Sequence, residues 1–391
     1  MTRSANDSPL DGIRVLDLTR LLPGPVASLV LADLGATVDK VEDPHGGDFA
    51  RISGTQVAGH SALFHTLGRG KRSLVLDLKR PEGARVFRQL ALKYDVVFEQ
   101  FRPGVLDRLG VGHETLLADN PRLIICALTG YGQSGPLRDR AGHDINYLAR
   151  AGLLGLQGPA SGPPQVPAFQ VADVSGGLWS AIAILAALRG RERSGRGGVL
   201  DIAMSDSVAL FALPTLARLF VGDTPQAGQE MLTGGIAIYN TYETRDGEAV
   251  ALGALEPKFF QTFCAHNGLE ADFMLLVPGP HQVELKQRFA DVFRSKTRAE
   301  WEQFSRDHDC CLEPVLRPDE LLSDPHNVAR GLFVERKAEE GTVVSLRTPV
   351  TPRDGAMRPA PKAGEHSDAI LREAGFDESE ITRLREAQVI R

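Results

Sequence analysis

The opening of the chain confines it to a parallel-sheet architecture. Gly12-Ile13-Arg14-Val15-Leu16-Asp17-Leu18 is β-branched and alternates, as a strand does. Leu21-Leu22-Pro23-Gly24-Pro25 reads as a turn, Val26 to Leu34 has helical spacing, and Gly35 stops it. Ala36-Thr37-Val38-Asp39-Lys40-Val41-Glu42 is then a second strand. Two strands joined through a helix pair in parallel, because the crossover returns the chain to the same edge. Further along, Pro81 to Lys93 reads as a helix with proline in its first turn, and Asp95 to Glu99 and Leu123 to Leu128 add strands.

The second half carries different signals. A long buried helix is expected over Ala172 to Arg189, followed by a strand at Val199 to Met204 and helical spacing from Ser205 to Leu219. Gly222 to Gly235 has turn character and is the best boundary. Beyond it, Tyr239 to Leu252 alternates around Arg245-Asp246-Gly247-Glu248, a hairpin signal. Helices from about Pro257 to Phe293 and Ala299 to Asp307 complete a small α+β unit. Pro349 to Gly364 reads as a proline-rich linker, and Ser367 to Ala387 as terminal helices.

At 391 residues the chain can bury two cores. A net charge of −6 speaks against nucleic acid as a partner. No membrane partner is expected either, since no uninterrupted apolar run approaches the roughly 18 residues of a spanning helix. Residues 1–8 read as a flexible lead-in without the apolar core of a secretory signal. Positive charge nonetheless gathers at Lys40, Arg69, Lys71, Arg72, Lys79, Arg80 and Arg102, a cluster suited to a small polyanionic ligand. Cys126, Cys264, Cys310 and Cys311 lack metal-type spacing, so no metal site is expected, and reduced thiols fit a cytoplasmic location.

One motif misleads. Gly130-Tyr131-Gly132-Gln133-Ser134-Gly135 matches the dinucleotide fingerprint and follows a strand. Pro136 and the charged Arg138-Asp139-Arg140 do not open a helix that could hold pyrophosphate. No Asp or Glu occurs from Ile145 to Ala172, where a ribose-binding acid belongs. The reading carries no nicotinamide or flavin, and no other prosthetic group.

Three segments present proton-transfer groups among small residues: His143 in Gly142-His143-Asp144-Ile145-Asn146-Tyr147, Asp173 in Val171-Ala172-Asp173-Val174-Ser175-Gly176-Gly177, and Glu256 in Gly253-Ala254-Leu255-Glu256-Pro257. Asp173 begins a helix and reads as its N-cap, and the glycines after it allow a ligand close to the backbone. Glu256 sits in apolar company where a strand meets a helix, either capping that helix or held for proton transfer.

Together these segments resemble the α-methylacyl-CoA racemase branch of the class III CoA-transferase (CaiB/BaiF) family. Asp11 to Leu18, Gly35 to Glu42, Arg69-Gly70-Lys71-Arg72-Ser73 and Phe101-Arg102-Pro103-Gly104-Val105 are similar to family segments as well, so the likeness runs nearly end to end. The resemblance implies a large Rossmann-like α/β domain built from both chain ends, residues 1–221 and 335–391, a smaller α+β domain of residues 222–334, and two chains interlocked as a homodimer. It implies acyl-CoA as substrate, with CoA held by Lys40, Arg69, Lys71, Arg72, Arg102 and Tyr131. His143 and Asp173 would be opposed acid/base groups at the α-carbon, and Glu256 would orient His143. Asp144 would be structural. The same Asp173 matches the nucleophile of the transferases, so CoA transfer between carboxylic acids is the alternative. The segment Gly234 to Tyr242 departs from the racemase pattern at what resembles the rim of the acyl pocket.

Overall fold

The computed structural model describes residues 8–338, 341–353 and 357–391. Most of the expected lead-in, residues 1–7, and part of the expected linker, residues 354–356, lie outside them. The chain divides into two compact units. The first holds Met1–Leu148, Gln170–Val208 and Pro325–Arg391, and the second holds Ala149–Phe169 and Ala209–Asp324. The division thus falls earlier than the turn-rich stretch at residues 222–235 and includes a segment at 149–169. The helical residues from Ala209 onward pack with the smaller unit, and their sequence carries no break at that point.

The first unit is built on a six-stranded parallel sheet: β1 (Arg14–Asp17), β2 (Thr37–Glu42), β3 (Arg72–Val75), β4 (Val96–Glu99), β5 (Ile124–Thr129) and β6 (Gly198–Ala203). The order β3-β2-β1-β4-β5-β6 is that of a doubly wound sheet, with its reversal between β1 and β4. Ligands of such sheets settle beyond the carboxyl ends of the strands at that reversal. The central strands β4 and β5 are buried on both faces, which explains their runs of Val, Phe, Ile and Leu. Val86, Phe87 and Leu90 of α2 (Pro81–Ala91) cover one face together with Ile370, Leu371, Ile381 and Leu384 near the end of the chain. Asp77 donates its backbone N–H to Val389, and Leu76 bridges Ile390. Both chain ends therefore build this unit.

The helix α1 (Pro23–Asp33) follows β1, α3 (Asp144–Arg150) follows β5, and α4 (Val171–Ser194) precedes β6. By length and composition α4 is the one candidate for a membrane span among the described residues. It packs on α1, β5 and β6, as the core helix of a sheet does. Its double glycine has an interior purpose. A Cβ on Gly177 would stand 2.3 Å from the Pro23 carbonyl oxygen of α1, and one on Gly176 2.7 Å from the Met204 side chain. Both positions are buried, so they admit neighbouring chain and not a ligand.

In the second unit, β7 (Tyr239–Glu243), β8 (Ala249–Gly253) and β9 (Leu312–Pro314) form an antiparallel sheet in the order β9-β8-β7. The β7–β8 turn is closed by Gly247 at φ 76°. Helices α5 (Pro257–Asn267), α6 (Gln282–Phe293) and α7 (Arg298–Asp307) pack aromatic rings against it. Tyr242 stacks on Phe293 with ring centres 4.7 Å apart, and the Trp301 indole N–H donates to the Phe293 carbonyl.

Candidate active site

The segment after β5 is fastened around one tyrosine. Tyr147 of α3 donates its hydroxyl to the Gly142 carbonyl at 2.6 Å, and its ring meets the edge of Tyr131 at 5.1 Å. A Cβ at Gly130 or Gly142 would fall 2.4 or 2.7 Å from that ring, so both glycines are space for Tyr147. Asn146 accepts the His143 backbone N–H on its side-chain oxygen at 3.0 Å. The His143 imidazole is left exposed, without a hydrogen-bond partner among the described residues.

Asp173 lies in the first turn of α4. The N-cap is Gln170, and the capping acceptor comes from elsewhere: an Asp144 carboxylate oxygen takes the Asp173 backbone N–H at 3.0 Å. The expectation that Asp173 itself caps α4 is therefore corrected, and its carboxylate is spared for other work. Burial, followed by the charge of Asp144, pushes Asp173 up to about 6, with His143 pulling the other way. Tyr147 is pushed up to about 12 by burial and by the Asp173 charge. His143, Asp144, Tyr147 and Asp173 are thus one electrostatic cluster, with Tyr131 against its edge.

Glu256 stands in the second unit as the N-cap residue of α5. Its side chain makes no capping bond, and Pro257 at the first helical position removes one N–H that would need one. The carboxylate is exposed, and its charge acts on the Cys311 thiol. Of the two readings open at this position, side-chain capping does not hold.

The basic residues part company. Lys40 is buried, paired with Asp48 at 2.7 Å and donating to the Thr19 carbonyl at 2.5 Å. Asp48 in turn accepts the backbone N–H of Leu21, which adopts φ 65°. Lys40 therefore holds the loop after β1. Lys71 is buried against Ser28 at 2.6 Å and Asp17 at 3.4 Å, and burial outweighs these partners and pushes it down to about 8. Arg69 forms a two-pronged pair with Asp33, and Arg72 does so with Asp39 at 2.6 and 2.7 Å and reaches Glu373 as well. Arg72 opens β3, which places it at the amino end of the sheet. Lys40, Arg69, Lys71 and Arg72, expected to hold CoA, each donate to a buried internal acceptor, and Lys40 also lines the cleft at the carboxyl ends of the strands.

Arg102 is the exception. It is exposed on the loop after β4. With Arg20, Lys79, Gln100 and Phe101 it lines a cleft of about 550 Å³ at the carboxyl ends of β1, β2 and β4, at the reversal of strand order. Arg20, which the residue-level reading passed over, projects from the loop that Lys40 pins, and its guanidinium lies 5.7 Å from the Phe101 ring centre. Its place three residues beyond the end of β1 is the signal that could have found it. Arg102 also acts electrostatically on Tyr147, tying the cleft to the cluster around Asp173. Among the described residues no group of His, Cys, Asp and Glu side chains could hold a metal ion.

The family model of CoA-transferase family III matches residues 10–367. The chain belongs to CoA-transferase family III. It is 41% identical to α-methylacyl-CoA racemase from Homo sapiens, over 97% of each chain. It is 34% identical to succinate–glutarate CoA-transferase from Agrobacterium fabrum, over 93% of this chain and 95% of that one. Among solved structures, a CaiB/BaiF family protein from Brucella suis superposes with a TM-score of 0.82 at 31% identity, covering 94% of this chain and all of the other. The fold expectation, a large α/β unit with a Rossmann-like parallel sheet and a smaller α+β unit, agrees with both the structure and this membership. Racemases and CoA-transferases of the family both act on CoA-linked substrates, and the racemase-like reading has the stronger sequence support.

Proposed function

We propose that this member of CoA-transferase family III is a racemase of 2-methylacyl-CoA thioesters that works with two acid/base groups. The observation that carries the reading is Asp173, pushed up to about 6 beside an exposed, uncommitted His143. A carboxylate poised near neutrality can both take and return a proton, which a carboxylate at its ordinary value does poorly. One of the pair removes the C2 proton, the electron pair moves into the thioester carbonyl, and the other returns a proton to the opposite face of C2. His143 and Asp173 exchange protonation states in the process, and nothing else is consumed. The developing oxyanion needs fixed donors, which general acid–base transfer of about 10²–10⁴-fold does not replace. The backbone N–H groups at the start of α4 that Asp144 does not take are the candidates.

The CoA part of the substrate would enter the cleft at the strand-order reversal, its phosphates meeting Arg20, Lys79 and Arg102. Glu256 would serve as the orienting partner of His143 across an interlocked homodimer, with Glu256 of the partner subunit completing each site. An exposed apolar face on α4, of Val174, Leu178, Trp179 and Ile182, supports a partner copy. The free thiols suit a cytoplasmic enzyme.

The second reading is CoA transfer, favoured by the identity with succinate–glutarate CoA-transferase. There the Asp173 carboxylate would attack the thioester carbonyl and expel CoA thiolate, forming a mixed anhydride. That thiolate would then take the aspartyl carbonyl, release the acid and leave an aspartyl-CoA thioester. Incubation with an acyl-CoA and hydroxylamine separates the two: a hydroxamate trapped on Asp173 means transfer, and an untouched Asp173 with label entering C2 in D₂O means racemisation.

A further inference from the structure

The second unit holds a groove of about 1000 Å³ that none of the chemistry above uses. Its lining is mixed: Pro214, Met231, Leu232, Pro280 and Val283 supply an apolar wall, and Thr215, Thr224, Gln226 and Gln229 stand beside it. Three charged side chains reach it. Arg218 and Glu230 pair with each other, and Arg218 also takes Asp223 at 2.7 Å outside the lining. Lys286 of α6 is left over. It makes no ion pair among the described residues, and its one recorded acceptor is the Gly234 carbonyl at 2.5 Å.

That carbonyl is a fixed point. Gly234 adopts φ 85°, and the Asn240 side-chain amide donates to the same oxygen at 3.1 Å. Gln282, one turn before Lys286, is buried and holds the floor by accepting Ala237 N–H and donating to Val277. The ammonium is thus anchored through one of its three donors, leaving two for a guest. Burial alone acts on it and favours its neutral form, a cost that an incoming anion would remove.

We propose that this groove binds an aliphatic carboxylate, its chain along the proline and methionine wall and its carboxylate on Lys286. The shared chemistry has two sources, a free fatty acid or the distal carboxylate of an ω-carboxyacyl thioester.

The probes are dodecanoate and its uncharged analogue dodecanol, added to the full chain. In the wild-type protein, dodecanoate will protect Lys286 from acetylation by acetic anhydride, read by peptide mass spectrometry, and dodecanol will not. Calorimetric titration will show Lys286→Met weakening dodecanoate about 10-fold or more while Lys286→Arg retains it, as expected for a hydrogen bond between charged groups. Equal protection by acid and alcohol, or none by either, would overturn the proposal whatever the variants do. The source is read separately, in an arm that rests on the racemase reading. If the thioester's own chain fills the groove, an ω-carboxylate on 2-methylacyl-CoA lowers KM in the wild type and not in Lys286→Met. Unchanged KM with retained protection assigns the groove to the free acid.

Discussion

The Asp144 carboxylate accepts the backbone N–H of Asp173 at 3.0 Å. A single contact thereby caps α4 and sets a second negative charge beside the carboxylate that would transfer the proton. Of two adjacent aspartates, one is spent on the backbone, and its charge tunes the other.

Asp144→Asn keeps an oxygen acceptor for the helix and removes the charge. A like charge raises a carboxyl pKa, so its removal lowers Asp173 from about 6. The limb of the kcat/KM profile that rises with Asp173 ionisation is expected to move to lower pH in this variant. An unchanged limb would mean that Asp144 does not set the protonation of Asp173.

The same shift has a consequence for stability. The folded-state pKa of Asp173 lies above the ordinary value of 3.8, so the native state binds the extra proton between that value and about 6. Stability therefore falls as pH rises through this window, and above it the buried charge is a cost. Asp173→Asn is expected to raise Tm at pH 7.5 by about 1–3 °C while abolishing turnover. A lowered Tm would show the carboxylate to be structural.

The basic residues separate into two experimental classes. Arg20→Gln and Arg102→Gln are expected to raise KM for acyl-CoA about 5- to 50-fold with kcat nearly unchanged, because they lose uniform binding. Arg69→Gln and Arg72→Gln leave Asp33 and Asp39 without their main cation, and are expected to lower stability by about 3–5 kcal/mol with little change in KM. Denaturant melts and steady-state kinetics on the four variants measure both quantities. A KM effect from Arg69→Gln in folded protein would restore it to the ligand.

Gly177→Ala forces a methyl group against the Pro23 carbonyl, whose nearest approach would be 2.3 Å. Overpacking of this kind costs about 1–3 kcal/mol, and the shift in denaturation midpoint measures it. An unshifted midpoint would return the double glycine to a ligand-facing role.

Much of this architecture was legible because it is written locally. The strand–helix–strand opening, the hairpin around Asp246-Gly247 and the helix after Pro81 each depend on residues within one element. His143 and Asp173 were read together because their segments resemble the racemase branch, and in the structure the His143 charge acts on Asp173. The fate of the basic cluster was not. Arg72 is neutralised by Asp39 and Glu373, the latter 301 residues away in sequence, and Arg69 by Asp33 across a turn of the fold. A cation reads the same in sequence whether it faces solvent or a buried carboxylate. The cap on α4 escaped for a related reason, since Asp144 reaches it across 29 residues and from another helix.

On the proposed function, His143 and Asp173 exchange the C2 proton of an acyl-CoA. The most direct test is incubation of the purified protein with (2R)- and (2S)-2-methylacyl-CoA in D₂O, following deuterium at C2. Deuterium is expected to enter from both isomers, and Asp173→Asn is expected to abolish it. No incorporation from either isomer, in protein shown to bind CoA, would contradict it.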